Sequence, residues 1–177
     1  MTATATRRPV DIDKKSRTAL ILAIAGVMAL VVGFGSLVGG FFGIWYTYDQ
    51  AVAQDITTPD DAVIPETPVR GPFTMWAQSD IITHHQLDNT DGLYYSQMER
   101  TVPEVDENGE AVLDESGEAV MVPNEARAGW ITATTLTTAL GLGIVSYALS
   151  GFAVAMGVTL IVVGYTFLHI RRKALIL

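Results

Sequence analysis

ALILAIAGVMALVVGFGSLVGGFFGIWY, residues 19–46, carries no charged side chain over 28 consecutive positions. As a helix rising ~1.5 Å per residue it would be about 42 Å long. About 20 residues cross a bilayer, so the run predicts a transmembrane helix with room for tilt. Phe41, Phe42, Trp45, Tyr46 and Tyr48 crowd its far end, where amphipathic rings favour the headgroup level. A second uncharged run, residues 128–168, is 41 residues long. Its first half is rich in threonine and its second half, from Ile144 to Leu168, reads as the better span. One long helix is expected there, in preference to a re-entrant break at Gly141–Gly143.

The charges suggest a sidedness. Of the 11 basic residues, Arg7, Arg8, Lys14, Lys15 and Arg17 precede the first span, and Arg171, Arg172 and Lys173 follow the second. Only Arg70, Arg100 and Arg127 lie between, against 17 of the 19 acids, so residues 47–127 have a net charge of 3 − 17 = −14. Cationic flanks stay cytoplasmic, which predicts both termini inside and the acidic segment outside the plasma membrane. The expected class is a mainly α membrane protein, two transmembrane helices with a small α+β extracytoplasmic domain. The expected organisation is a basic tail at 1–17, a span at 18–46, the acidic domain at 47–127, a long helix with the second span at 128–170, and a tail at 171–177.

Composition narrows the function. The chain has 177 residues, 17% of them charged, a net charge of −8 and no cysteine. It is too short for a (β/α)₈ barrel, which needs about 200 residues or more. Disulfides, thiolate metal sites and a cysteine nucleophile are excluded. The acidic balance argues against nucleic acid, whose phosphates call for clustered Lys and Arg. The only ionisable side chains within the two uncharged runs are tyrosines; a proton or ion pathway normally shows an intramembrane acid, base or histidine. Gly35, Gly39 and Gly43 form overlapping G-x-x-x-G patterns, and Gly151, Ala153, Ala155 and Gly157 offer small residues on the second span. These are candidate helix-packing positions, within the chain or against another protein.

In the acidic segment, Pro59, Pro65, Pro68 and Pro72 predict an extended arm over 57–72. Helical structure is expected over 73–100, with Phe73, Trp76, Ala77 and Leu87 sharing a face with Asp80 and His84, and a second short helix from Leu93 to Arg100. Residues 106–113, DENGEAVL, are echoed by 114–121, DESGEAVM. The Asn-Gly and Ser-Gly turns predict a three-strand meander over 102–122. The glycine is fourth in each unit, which does not fit an EF-hand loop. Asp80 and His84, four residues apart, with His85 adjacent, are the candidate metal or acid–imidazole group. The competing reading is structural pairing on an ordinary helix.

Gly71, Pro72, Phe73, Ala77, Gln78, Asp80, Ile81, Ile82, His85, Leu87, Gly92 and Tyr95 carry a resemblance. Together they resemble a motif of small two-span actinobacterial membrane proteins often labelled aromatic ring-opening dioxygenase, small-subunit type. The resemblance covers roughly 18–100 and 128–170, with 104–123 as an insertion. Its label implies iron held by two histidines and a carboxylate. Here both would have to be His84 and His85, which on a helix point about 100° apart. The expectation is therefore a non-enzymatic accessory subunit of a larger membrane complex, without cofactor. A respiratory oxidase assembly is the concrete version, with membrane lipid, other subunits and a basic cytochrome c domain as partners. The alternatives are an extracytoplasmic metal-dependent enzyme or sensor built on Asp80, His84 and His85, and an envelope-anchored binding module.

Ala51-Val52-Ala53 has the small-x-small form of a signal-peptide cleavage site, but the apolar run before it is nearly twice the usual length. An uncleaved anchor is expected. N-terminal sequencing of the membrane-bound protein should find the intact N-terminus; a chain starting at Gln54 would overturn this.

Overall fold

The computed structural model describes residues 10–176, with side chains described from 15 to 173. Arg7 and Arg8 of the basic flank, and the last residues of the second tail, lie outside those limits. The elements in order are α1 (Val10–Gln54), α2 (Pro72–Asp88), a 3₁₀ turn at Tyr95–Gln97, β1 (Thr101–Pro103), β2 (Met121–Pro123) and α3 (Glu125–Ile176). The fold is mainly helical with one small sheet, and α1 and α3 are each long and apolar enough to cross a membrane. The chain divides into two units: one holds α1 to Thr47 with α3 from Ser146, the other Tyr48–Val145.

In the first unit the two helices run antiparallel with their backbones in close approach. A Cβ on Gly33 would lie 2.9 Å from the Gly157 carbonyl oxygen, and one on Gly157 would lie 2.7 Å from the Leu37 nitrogen. Gly26 meets Gly164 and Leu168 in the same way, and Gly40 meets Ser150 and Val154. The buried positions on α1 are Ala19, Gly26, Gly33, Gly40 and Thr47; those opposite are Ser150, Gly157 and Gly164. Each series has a seven-residue spacing. Seven residues turn a helix by 700°, leaving a drift of only about 20° that a slight supercoil removes. Four-residue steps drift about 40° each, so the series Gly35, Gly39 and Gly43 does not stay in line with the seam, and only Gly43 reaches it. Gly35, Gly39 and Gly151 face open space, Ala153 is half-buried and Ala155 exposed; of the expected packing residues, only Gly43 (against Ser150 Oγ) and Gly157 lie in the seam. Thr47 Oγ1 closes one end, 2.6 Å from Ser146 Oγ and donating to the Gly43 carbonyl.

In the second unit the proline arm folds back on itself. Thr57 bridges Pro68, and Thr58, which is 2% exposed, donates from Oγ1 to the Ile64 carbonyl and accepts from the Thr67 N–H. Ala62 and Val69 of the same arm are buried as well. Helix α2 begins where Pro72 supplies a preset φ and needs no amide partner. The segment after it is a 3₁₀ turn instead of the expected second helix. The Leu93 carbonyl, which a helix would need for the Gln97 N–H, is taken by Trp130 Nε1 (2.9 Å) and Thr90 Oγ1 (2.7 Å). The Gln97 N–H turns to Tyr94 instead.

The repeat does not form a three-strand meander. β1 pairs directly with β2, Thr101 opposite Pro123 and Pro103 opposite Met121, with no strand between them. The two repeat units fold into separate hairpins, bridged at Val105–Ala111 and Leu113–Ala119. Stem and arms meet in a closed ring of three backbone bonds: Glu104 N–H to Val120 O, Val120 N–H to Val112 O, and Val112 N–H to Glu104 O, each 2.7–2.8 Å. Positions 104, 112 and 120 are eight apart, so the sequence period sets the three-way junction. Each arm tip is a turn closed by a glycine at positive φ, Gly109 at 81° and Gly117 at 85°, where a side chain would be strained.

The seam can be probed by crosslinking, because the chain has no native cysteine. Thr47→Cys with Ser146→Cys should form a disulfide in detergent-purified protein. Adding Gly33→Leu should abolish it, since overpacking costs about 1–3 kcal/mol where the backbone cannot give. Gly35→Leu should leave it intact. Equal effects of the two leucines would refute the seven-residue seam.

Candidate functional site

The residues of the 71–95 motif build the join between α2, the following loop and the first turns of α3. Gly71 is the extended N-cap of α2, and Thr74 Oγ1 accepts the N–H groups of Arg70 and Gly71. These bonds satisfy the amides at the chain's entry to the helix. The buried face of α2 is Met75, Ala77 (fully buried) and Ile81. Of the expected face, Ala77 is buried and Leu87 half-buried, whereas Phe73 is 77% exposed and Trp76 about half exposed. At one end Met75 lies against Gly143, so close that a Cβ there would sit 2.7 Å from Sδ; at the other, Gln86 rests on Gly129 and donates to the Ala126 carbonyl. Helix α2 therefore packs antiparallel along the first part of α3. Met75 is matched to a glycine because a longer side chain leaves no room for a Cβ.

Thr90 is the pin of the loop. It is 4% exposed, and its Oγ1 lies within hydrogen-bond distance of the carbonyls of Gln86 (2.8 Å), Leu87 (3.3 Å) and Leu93 (2.7 Å). Asp91 and Gly92 complete the turn at positive φ. Trp130, 6% exposed, donates to Leu93 and stacks on Tyr94 at 5.2 Å between centroids. Arg127 lies over the Tyr95 ring, 3.7 Å from its centroid, and its Nε donates to the Tyr95 carbonyl. Asn124 caps α3, its side-chain oxygen accepting the Arg127 N–H. Beside them is an open groove of about 470 Å³ lined by Tyr95, Trp130, Ile131, Thr134, Thr135 and Thr138.

Asp80, His84 and His85 are all exposed and do not form one constellation. His85 Nε2 is 2.6 Å from Asp61 Oδ2. A carboxylate only accepts, so the imidazole N–H donates. His84 lies 4.0 Å from Asp88, and Asp80 belongs to neither pair. Among the described residues, no group of three His, Asp or Glu side chains is placed to hold a metal ion. Sequence reading missed Asp61, which comes from the proline arm 24 residues before His85. Gln78, one of the motif residues, has its Oε1 buried with no hydrogen-bond partner among the described residues. The turn residues Pro59-Asp60-Asp61 were the only local sign of the former.

Three carboxylates in this unit have depressed pKa values. The His85 hydrogen bond holds Asp61 below its ordinary 3.8. The Glu110 and Asn108 N–H groups do the same for Asp106. The Ser116 hydroxyl, with the Glu118 and Ser116 N–H groups, lowers Asp114. A carboxylate whose folded pKa lies below its unfolded value stabilises the fold fully above the unfolded value, and that contribution is lost as pH falls through the folded one. NMR titration of the full chain should therefore give all three carboxyl carbons midpoints below 3.8. The amides of Glu110 and Glu118 should stay protected from exchange until the pH drops beneath the ordinary carboxylate range. Midpoints at or above that value would contradict the geometry. Comparisons of the chain with protein-family models, with curated proteins and with solved structures find no match.

Proposed function

We propose that the chain is a two-span membrane protein with cytoplasmic termini, whose acidic domain at 47–127 docks it, as a non-enzymatic accessory subunit, onto a larger membrane complex. The observation that carries this reading is the separation of charge along the chain. Eight of 11 basic residues flank the two apolar runs, while the segment between them has a net charge of −14. Exposure supports the membrane part: Ile21, Val31, Val38, Leu149, Phe152 and Tyr165 are each 64–68% exposed, which is costly for helices in water and favourable in lipid. The polar side chains of the second unit support the accessory role. Thr58, Thr74, Thr90 and Trp130 are occupied in holding loops and caps, and exposed acids, Glu107, Glu110, Glu115 and Glu118 among them, are placed to meet a cationic partner.

A respiratory oxidase assembly is the concrete form of the proposal, with a basic cytochrome c domain as the partner that an acidic outer surface would guide and hold. The small-subunit membrane family that the 71–95 motif resembles is a proposed kinship on the same footing. The protein should be affinity-isolated in mild detergent, separated on a native gel and analysed by mass spectrometry. Co-migration at fixed stoichiometry with oxidase subunits is expected. Recovery solely as a free monomer, from membranes in which the oxidase itself stays intact, would overturn the proposal.

A further inference from the structure

The hairpin junction has an outer face that none of the described residues covers. Residues directly opposite in a ladder share a face, as do residues two apart on one strand. Pro103 is opposite Met121, Val105 opposite Ala111, and Leu113 opposite Ala119. Residues 103 and 105, 111 and 113, and 119 and 121 are each two apart, so these six side chains form one closed apolar ring. Val105, Leu113 and Met121, at equivalent positions of the eight-residue period, are 60%, 60% and 53% exposed. Pro103 and Ala111 are exposed as well, and only Ala119 is half-buried. Isolated exposed apolar residues mean little; a contiguous ring of six on so small a sheet marks a contact surface.

Charge decides the occupant. Residues 104–123 contain Glu104, Asp106, Glu107, Glu110, Asp114, Glu115 and Glu118 and no Lys or Arg, a net charge of −7. The arm tips that carry six of these acids are exposed, so the apolar ring has an anionic border. A second copy would set −7 against −7, and an anionic lipid surface would repel the border. An apolar centre within a charged rim is the anatomy of a protein interface, and the rim selects a partner of opposite sign. We infer that this face docks a cationic protein surface in which a protruding apolar side chain is surrounded by lysine or arginine. The inference rests on the reading that the acidic domain docks on a partner, and it assigns that docking to the repeat and not to the aromatic groove beside Trp130.

The full chain carrying Leu113→p-benzoylphenylalanine is irradiated in the membranes of its own organism, and co-purification with the native complex is followed in parallel. The expected result is one protein adduct, mapped to a segment rich in Lys and Arg. It should fall about tenfold in the background E107Q/E110Q/E115Q/E118Q, and again in V105N/M121N, which keeps the charge and removes the apolar ring. It should also weaken when ionic strength rises from about 0.05 to 0.5 M, where screening contracts to a few Å. All six substituted side chains are exposed, and an unchanged limited-trypsin pattern verifies that each variant is folded. An adduct to a second copy, to lipid alone, or to a segment that is not basic would overturn the inference, as would an adduct insensitive to E→Q, or none. With no adduct but intact co-purification, only the docking face is lost. With neither, the accessory-subunit reading falls too. An adduct to a basic protein from a chain that isolates alone keeps the face and removes the stable subunit.

Discussion

The close approach of α1 and α3 is the constraint on which the arrangement of the chain depends. Where glycine faces glycine, the two backbones come near enough that a single methyl group has no room, and contact is made by main-chain atoms with almost no side-chain entropy to lose. Larger apolar side chains are thereby turned outward, which is why the helices keep so much exposed apolar surface. The seam also ends in a hydrogen bond between Thr47 and Ser146, residues 99 apart. The segment between them therefore starts and finishes at neighbouring points. Closing so long a loop costs only a few kcal/mol, because the entropy grows with the logarithm of length. One polar pair set within a packed helix hairpin is a small addition to what the seam already provides.

Local signals were legible in the sequence and long-range pairings were not. The two apolar helices follow from charge-free runs of 28 and 41 residues, and helix α2, Pro72–Asp88, falls almost wholly within the helical stretch expected over 73–100. The arm tips follow from Asn-Gly and Ser-Gly. What local pattern left open was the choice of partner. The four-residue glycine pattern was the more conspicuous, yet the seven-residue one, at Gly26, Gly33 and Gly40, lines the seam. Both periods occur on one helix, and only a second helix of suitable length shows which stays in line with it. The meander expectation failed similarly: each hairpin was read correctly from its turn, but the direct pairing of Val102 with Val122 needs a ring that no local pattern reveals.

The candidate site shows the same division. His84 and His85 drew attention as neighbours, but adjacency on a helix separates side chains, and the partner of His85 is Asp61 in the arm. That bond, with the Thr58 and Thr90 hydroxyls buried under their loops, makes the second unit a set of short irregular segments each pinned at one point. A unit with so few regular elements has little core to rely on, and buried threonines and a tryptophan N–H supply bonds that a sheet would otherwise provide. Much of the 71–95 motif is thus explained by caps, pins and one tight glycine contact.

The three-way junction has a consequence for how such a chain changes over generations. Its three closing bonds are chemically alike, all between main-chain groups, and each arm is complete within one eight-residue unit. Nothing in an arm depends on a side chain from the other. Duplication of a short stretch of coding sequence would therefore add, in a single event, an arm whose own turn and bridge are complete. A length change in this segment that keeps the turns intact would come in steps of eight residues, each unit carrying its own acids and one large apolar residue.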